Sequence, residues 1–456
     1  MSDSGRLKRG QELTVEVDGV DAEGEGIAHW GGRRLSVPLG VPGDRARVCV
    51  RRAGRDPVRT RVLHWESPSP ARTPAACPHY PACGGCSWQD VWYTEQLRLK
   101  EEIVRANLAG VAPSGVLPII GMENPWYYRN KMEFTFGEGP VLGLHRRGRF
   151  WGVVDIYDCR LQSPLSNEIV AAVRGYAQER GWVPYHKRTH QGEARHLVVR
   201  EGKRTGEVLV NVVSRSDALP GVEQLARDLD ERFAAVASCY WSISPEKADA
   251  IKVHRELLLF GAPRIREVID GLQFFVGPGT FFQTNTLQAE RLCAVVAELR
   301  EEAEHGPEPV VFDLYCGVGL FALSTARRSP GARVVGVEVV EDSVAAAREN
   351  AELNALQGVE FVAGYVEQCL PGLVRRVGRP DVVVVDPPRA GLEPGVVRAL
   401  GDLPARQILY VSCNPVALGR DLAGLCEAGY RVAVVQPIDL FPHTRHVECV
   451  VSLVRR

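Results

Sequence analysis

Leu13, Val15 and Val17 alternate with Thr14 and Glu16, and Ala46, Val48 and Val50 alternate again further on, leaving Arg45, Arg47 and Arg51 on the opposite face. A period of two is the mark of a half-buried strand. Gly-rich turns punctuate these runs at Glu23-Gly24-Glu25-Gly26, Gly31-Gly32 and Pro42-Gly43. Short strands with frequent turns predict a five-stranded, OB-like β-barrel over residues 10–65. A Pro/Ser linker follows at 67–74, then a helical pattern from about Val91 to Leu108. Residues 126–270 read as mixed strands and helices. From about residue 276 the pattern changes. Apolar runs such as VVFDLY, RVVGVEVV, DVVVVDPP and QILYVSC alternate with helical stretches, which is the βαβ rhythm of a doubly wound parallel sheet. The expected fold class is therefore α/β at the C-terminus, with an N-terminal barrel and a central α+β part. The expected domains are 1–66, 67–275 and 276–456, with a helical part near 91–120 packing on the C-terminal domain.

Net charge is −1, so the chain as a whole is not a polycation. Its charge is local. Seven arginines lie between Arg45 and Arg61 against one acid, Asp56. His145-Arg146-Arg147-Gly148-Arg149 and His186-Lys187-Arg188 form two further clusters. Basic stripes on a near-neutral protein suit a polyanion; the plainer reading is solvated faces. No apolar stretch follows the basic residues of MSDSGRLKRG, and VVVVD at 382–386 is too short to span a bilayer. A cytoplasmic protein without membrane contact is the expectation. The sequence sets no oligomeric state; a monomer is the working assumption.

The first strand of the C-terminal pattern runs into DLYCGVGLF, where Gly317 and Gly319 permit a tight turn. Glu338 ends the next strand, placed to accept hydrogen bonds from ribose hydroxyls. The third glycine of a dinucleotide fingerprint is absent, since position 322 is Ala322. That pattern turns away from a pyrophosphate cofactor and toward S-adenosylmethionine. Asp386-Pro387-Pro388-Arg389 ends a later strand, at the edge where open α/β sheets bind ligands. No aromatic follows the prolines to stack on a base, which favours methylation at carbon over nitrogen.

Cys413 ends the strand QILYVSC, before Asn414-Pro415. Carbon C5 of uracil is a poor nucleophile. A thiolate added at C6 makes an enolate whose C5 can attack a methyl sulfonium, and a base must then take the C5 proton. Glu448, in HTRHVECV, is the candidate base. The competing readings are a buried strand cysteine and a surface acid paired with Arg445.

Twelve cysteines without a secretory signal do not predict a disulfide framework. Cys77, Cys83 and Cys86 lie within ten residues, with two glycines between the last pair. Such a set suits an iron–sulfur cluster or zinc, with Cys159 as candidate fourth ligand. A [4Fe–4S] cluster is favoured because only one short-spaced cysteine pair exists, where zinc knuckles use two.

Together the N-terminal barrel, CPHYPACGGC, YYRNKMEF, FFQTN, DLYCGVG, GVE, DPPR, VSCNP and HTRHVE resemble the RNA uracil-5-methyltransferase family, over nearly the whole chain. The resemblance implies a TRAM-type barrel, Cys413 as nucleophile and Glu448 as proton acceptor. It implies that Gln283, Tyr315, Gly317, Glu338 and Asp386 contact the methyl donor. It implies a [4Fe–4S] cluster on Cys77, Cys83, Cys86 and Cys159 that positions RNA, and Tyr128 to Lys131 near that RNA. Leu320 and Tyr365 stand where family members often carry asparagine, so no donor contact is carried over to them. The implied substrate is 23S ribosomal RNA; the alternatives are a tRNA uridine or a non-catalytic RNA-binding role.

Overall fold

The computed structural model describes residues 7–112, 115–139, 141–247, 251–301, 308–403 and 405–456. The chain divides into two compact units. One comprises Met1–Ala76, Ser87–Glu123 and Asp386–Arg456, the other Cys77–Cys86 and Asn124–Val385.

The first unit begins with a closed five-stranded barrel built from Glu12–Val20, Gly26–Trp30, Arg33–Val37, Arg45–Arg52 and Val58–Ser67. The alternation is realised as read. Leu13, Val15, Val17, Ala46, Val48 and Val50 fill the core, and Arg45 and Arg47 face out. Part of the outer charge is matched, with Arg47 2.8 Å from Glu12 and Arg45 3.1 Å from Glu66. Buried Asp44 accepts the Val41 and Ser69 amides and pairs with Arg72 at 2.6 Å, which fastens the barrel's exit.

Helix Tyr93–Leu108 buries Leu99, Ile103 and Val104 and packs on helix Pro415–Glu427. After it, Val116 and Ile120 bridge to Val435 and Ile438. The C-terminal strands of this unit, Gln407–Ser412, Glu448–Arg455 and Tyr430–Ile438, are antiparallel neighbours in that order. Strand Glu448–Arg455 departs from the expected doubly wound parallel sheet, running against both of its neighbours. Glu448–Arg455 returns from a short loop rather than a helical crossover, so it must run antiparallel to its neighbours.

The second unit holds a mixed seven-stranded sheet spanning Lys131–Gly261, backed by helices Pro164–Glu179 and Val222–Arg232. It also holds four parallel strands in the order Val359–Ala363, Arg333–Glu338, Val310–Leu314, Val382–Val385. Val382 to Val385 are each 0% exposed. Burial on both faces is why this run is continuously apolar instead of alternating.

Candidate active site

Asn414 explains why the strand of Cys413 stops where it does. Its side chain accepts the Val416 amide at 3.1 Å, an N-cap for helix Pro415–Glu427, and Pro415 needs no partner for an amide it lacks. The same side chain donates to the Arg389 carbonyl at 2.9 Å. One residue thus fixes the turn of Cys413 and the loop after Asp386. That loop is held a second time by Asp421, which accepts the Leu392 amide and the Tyr410 hydroxyl, each at 2.7 Å.

The last paired position between Gln407–Ser412 and Glu448–Arg455 is Ser412 opposite Cys449. One further step in register sets Cys413 against Glu448. Cys413 is half-buried; Glu448 is 3% exposed. Burial pushes the Cys413 thiol up to about 11, helped by the negative charges of Glu448 and Asp386 and opposed by Arg389. Burial raises Glu448 well above the carboxylate range, and Asp386 raises it further. Asp386 is itself pushed up to about 7 by burial. Arg389 sits 3.1 Å from Nδ1 of His446. Two carboxyls, a thiol and one guanidinium therefore act on one another around the buried Glu448, with Arg389 on the solvent side. Such clusters of perturbed groups mark sites of proton transfer.

The reading of Glu448 as a surface acid paired with Arg445 is set aside. Arg445 pairs instead with Glu25 at 2.7 Å. His443 is buried in a left-handed conformation, and its carbonyl accepts the Ser87 and Trp88 amides. Below it Lys100 and Asp439 form a fully buried ion pair, and Lys100 also donates to the Phe441 carbonyl at 3.0 Å. The loop leading into Glu448 is thus braced by helix Tyr93–Leu108. Sequence reasoning missed this brace, because a lysine on an amphipathic helix reads as a surface residue.

In the second unit, strand Val310–Leu314 ends in a left-handed turn at Tyr315, Gly317 and Gly319. At Gly319 an added Cβ would meet the Phe361 ring at 2.9 Å, whereas at Gly317 it would meet open space. Gly319 is needed for packing; Gly317 leaves its backbone approachable. Glu338 accepts the Gly317 amide at 3.1 Å and the Val340 amide at 2.9 Å, so its carboxylate is pinned at the mouth of this turn. Gln283 lies half-buried in a segment tied from beneath. Asn130 donates through its side chain to the Gln283 carbonyl at 2.9 Å and through its amide to the Thr284 carbonyl at 2.9 Å. Tyr128 and Asn130 are buried. YYRNKMEF is in this respect a bracket for FFQTN. Leu320 is buried, and Tyr365 is exposed at the start of helix Val366–Val377.

Cys77, Cys83, Cys86 and Cys159 all belong to the second unit. Burial raises Cys83, and raises Cys159 to about 11; Cys77 raises both further and Cys83 adds to Cys159. Cys83 and Cys159 therefore sense Cys77, and Cys159 also senses Cys83. Among the described residues, however, no group of three or more His, Cys, Asp or Glu side chains is arranged to hold a metal ion. The donor chemistry is that of a soft-metal site, and the arrangement of the side chains is not.

Residues 271–456 match the family model of tRNA (Uracil-5-)-methyltransferases. An uncharacterized RNA methyltransferase of Gloeobacter violaceus is 38% identical over 459 residues, covering 99% of this chain and 98% of the relative. Another, from Caldanaerobacter subterraneus, is 35% identical and covers 97% and 99%. The chain belongs to the RNA uracil-5-methyltransferase family. The crystal structure of the Pyrococcus abyssi tRNA (uracil-54, C5)-methyltransferase in complex with S-adenosyl-L-homocysteine matches with a TM-score of 0.78 at 30% identity, over 97% of this chain and 100% of that one. This RNA methyltransferase accordingly has the class I methyltransferase fold with an N-terminal closed barrel. Among its described residues no helix is long and apolar enough to cross a membrane.

Proposed function

We infer that the protein methylates C5 of a uridine in RNA, with S-adenosylmethionine as donor and Cys413 as nucleophile. The observation that supports this reading is the electrostatic cluster of Cys413, Glu448, Asp386 and Arg389, with Glu448 buried, Asp386 and Cys413 half-buried and Arg389 exposed. The Cys413 thiolate forms a bond to C6 of the uracil, and the electron pair moves onto the C4 carbonyl as an enolate. C5 then attacks the donor's methyl carbon, and the sulfonium leaves as a neutral thioether. Glu448 takes the C5 proton, and the returning electron pair expels the thiolate. A carboxylate whose pKa is raised by burial is a stronger base than an exposed one, which suits that step. Arg389 is the group on hand to favour the thiolate.

Glu338, Gln283, Tyr315, Gly317 and Asp386 are the proposed donor contacts. The two hydrogen bonds that Glu338 accepts from backbone amides support its proposed role toward a ribose. The target base must leave its stack, at a cost of a few kcal/mol that loop RNA reduces. The barrel would hold RNA through its outer arginines.

The proposed substrate is 23S ribosomal RNA, on the family resemblance of a chain carrying both barrel and cysteine cluster. The full-length likeness to a tRNA enzyme supports the second reading, a tRNA uridine. Mapping 5-methyluridine in ribosomal and transfer RNA, with and without the gene, decides between them. Loss of one ribosomal 5-methyluridine supports the first reading; loss confined to tRNA overturns it.

The four cysteines are proposed to hold a [4Fe–4S] cluster, with zinc as the other candidate. What supports this is the set of four thiols within one unit and the electrostatic influence among Cys77, Cys83 and Cys159. Anaerobically purified protein should be brown, with four irons per chain expected for such a cluster. Colourless protein with stoichiometric zinc would overturn the assignment.

A further inference from the structure

The two basic clusters left over by the active site meet in one place. Arg146 and Arg149 lie on the hairpin of Val141–Arg146 and Arg149–Asp155, and Lys187 and Arg188 on the turn that follows Pro184. Both sets line a single cavity of about 500 Å³ in the second unit. Glu138, the one acid among its described lining residues, lies 3.3 Å from His186. The cavity therefore carries a strong positive excess. It also presents Trp151, which is 53% exposed, with the Arg188 guanidinium 5.5 Å from the ring centroid.

An exposed indole beside several cations offers a stacking face next to positive charge. An aromatic platform flanked by Arg and Lys is how proteins hold unpaired nucleotides: bases stack on the ring, and phosphates meet the cations. The hairpin wall is also kept in place. The Gly84 amide donates to the His145 carbonyl, and the Arg147 amide to the Ala82 carbonyl, each at 2.9 Å. The cysteine loop is thus fastened to the tip of the hairpin that carries the cations.

We propose that this cavity is an accessory RNA subsite that takes one or two unpaired nucleotides of the substrate, with a base on Trp151 and phosphates on Arg146, Arg149, Lys187 and Arg188. The inference rests on the reading of the substrate as RNA and adds to it where, and in what form, that RNA is gripped. A duplex hides the faces of its bases, so the subsite selects single strands.

The test is binding of a 20-nucleotide uridine-rich single strand, and of the same length of blunt duplex, to the full chain across a salt series. Trp151→Ala should weaken single-strand binding roughly tenfold, as loss of one stacked base does, and leave the salt dependence unchanged. Replacing exposed Arg146 and Arg188 together with Gln should flatten the slope of log affinity against log salt by about 1.4, which is two phosphates at about 0.7 each. The second variant keeps the test decisive if the first folds poorly. Unchanged affinity and slope in folded variants would overturn the proposal, and so would equal losses on single strand and duplex. Binding is read without methyl donor, so a failure of methyl transfer would bear on the methylation reading and not on this one.

Discussion

Cys413 stands one residue past the last paired position of its strand, and the continued register sets it opposite Glu448. The thiol feels that carboxyl, which is 3% exposed, as a nearby negative charge. The proposed nucleophile and base therefore sit at the end of a β-ladder whose last pair is Ser412 and Cys449. Their division of labour is open to test. Cys413→Ala should lower methyl transfer by roughly 10⁴-fold or more, in line with removing a nucleophile that acts as part of a unit. Glu448→Gln should still form the covalent adduct but release it slowly, lowering turnover about 10²- to 10⁴-fold. Denaturing gels with labelled RNA should show the adduct accumulating in Glu448→Gln and absent in Cys413→Ala.

The thiol's ionisation should follow the local charges. With Cys413 held near 11, alkylation of its peptide by iodoacetamide should accelerate with pH throughout the alkaline range. Removing the cation in Arg389→Gln should slow alkylation at pH 9. Removing the anion in Glu448→Gln should speed it. Mass spectrometry of the peptide containing Cys413 reads both changes. Opposite signs would mean that Arg389 and Glu448 do not govern this sulfur.

Asp386 makes a prediction about stability. Its folded-state pKa is about 7 against an ordinary 3.8, so between those values the unfolded chain has released a proton that the folded chain still binds. The Asp386 contribution to stability should therefore fall as pH rises through that window and level off above it. Asp386→Asn should remove this part of the slope. Urea midpoints of the variant and its parent at pH 5 and pH 7.5 provide the comparison.

The brace beneath the Glu448 loop is equally exposed to test. Lys100 and Asp439 are both fully buried, so Lys100→Met strands a carboxyl and should cost about 3–5 kcal/mol. Pairing it with Asp439→Leu should recover much of that loss, because an apolar pair of similar size leaves no charge behind. Urea denaturation of the single and double variants measures both.

Much of this molecule was legible in the residues. Period-two alternation marked the barrel strands, and the run Val382–Val385 marked a strand buried on both faces. Cys413 before Asn414-Pro415 marked the end of a strand, which closes at Ser412, and Asn414 caps the helix that follows. The unread parts depend on tertiary pairing. That Glu448 faces Cys413 follows from the antiparallel return of the last strand, which no local pattern distinguishes from a parallel one. Lys100 gave no sign of burial, because its partner Asp439 is remote in the chain. The clusters around Arg146 and Arg188 read as two separate basic stripes suited to a polyanion or to plain solvation, and only the fold of the central sheet brings them to one cavity.

The central claim is that a sulfur–carbon bond joins Cys413 to the target uridine. RNA carrying 5-fluorouridine at that site can be attacked and methylated, but its C5 fluorine cannot leave as a proton. Incubated with S-adenosylmethionine and an active preparation, it should trap a covalent complex, and digestion should place the RNA on the peptide containing Cys413. Full activity on ordinary RNA with no trapped complex, or a complex on another residue, would contradict the account.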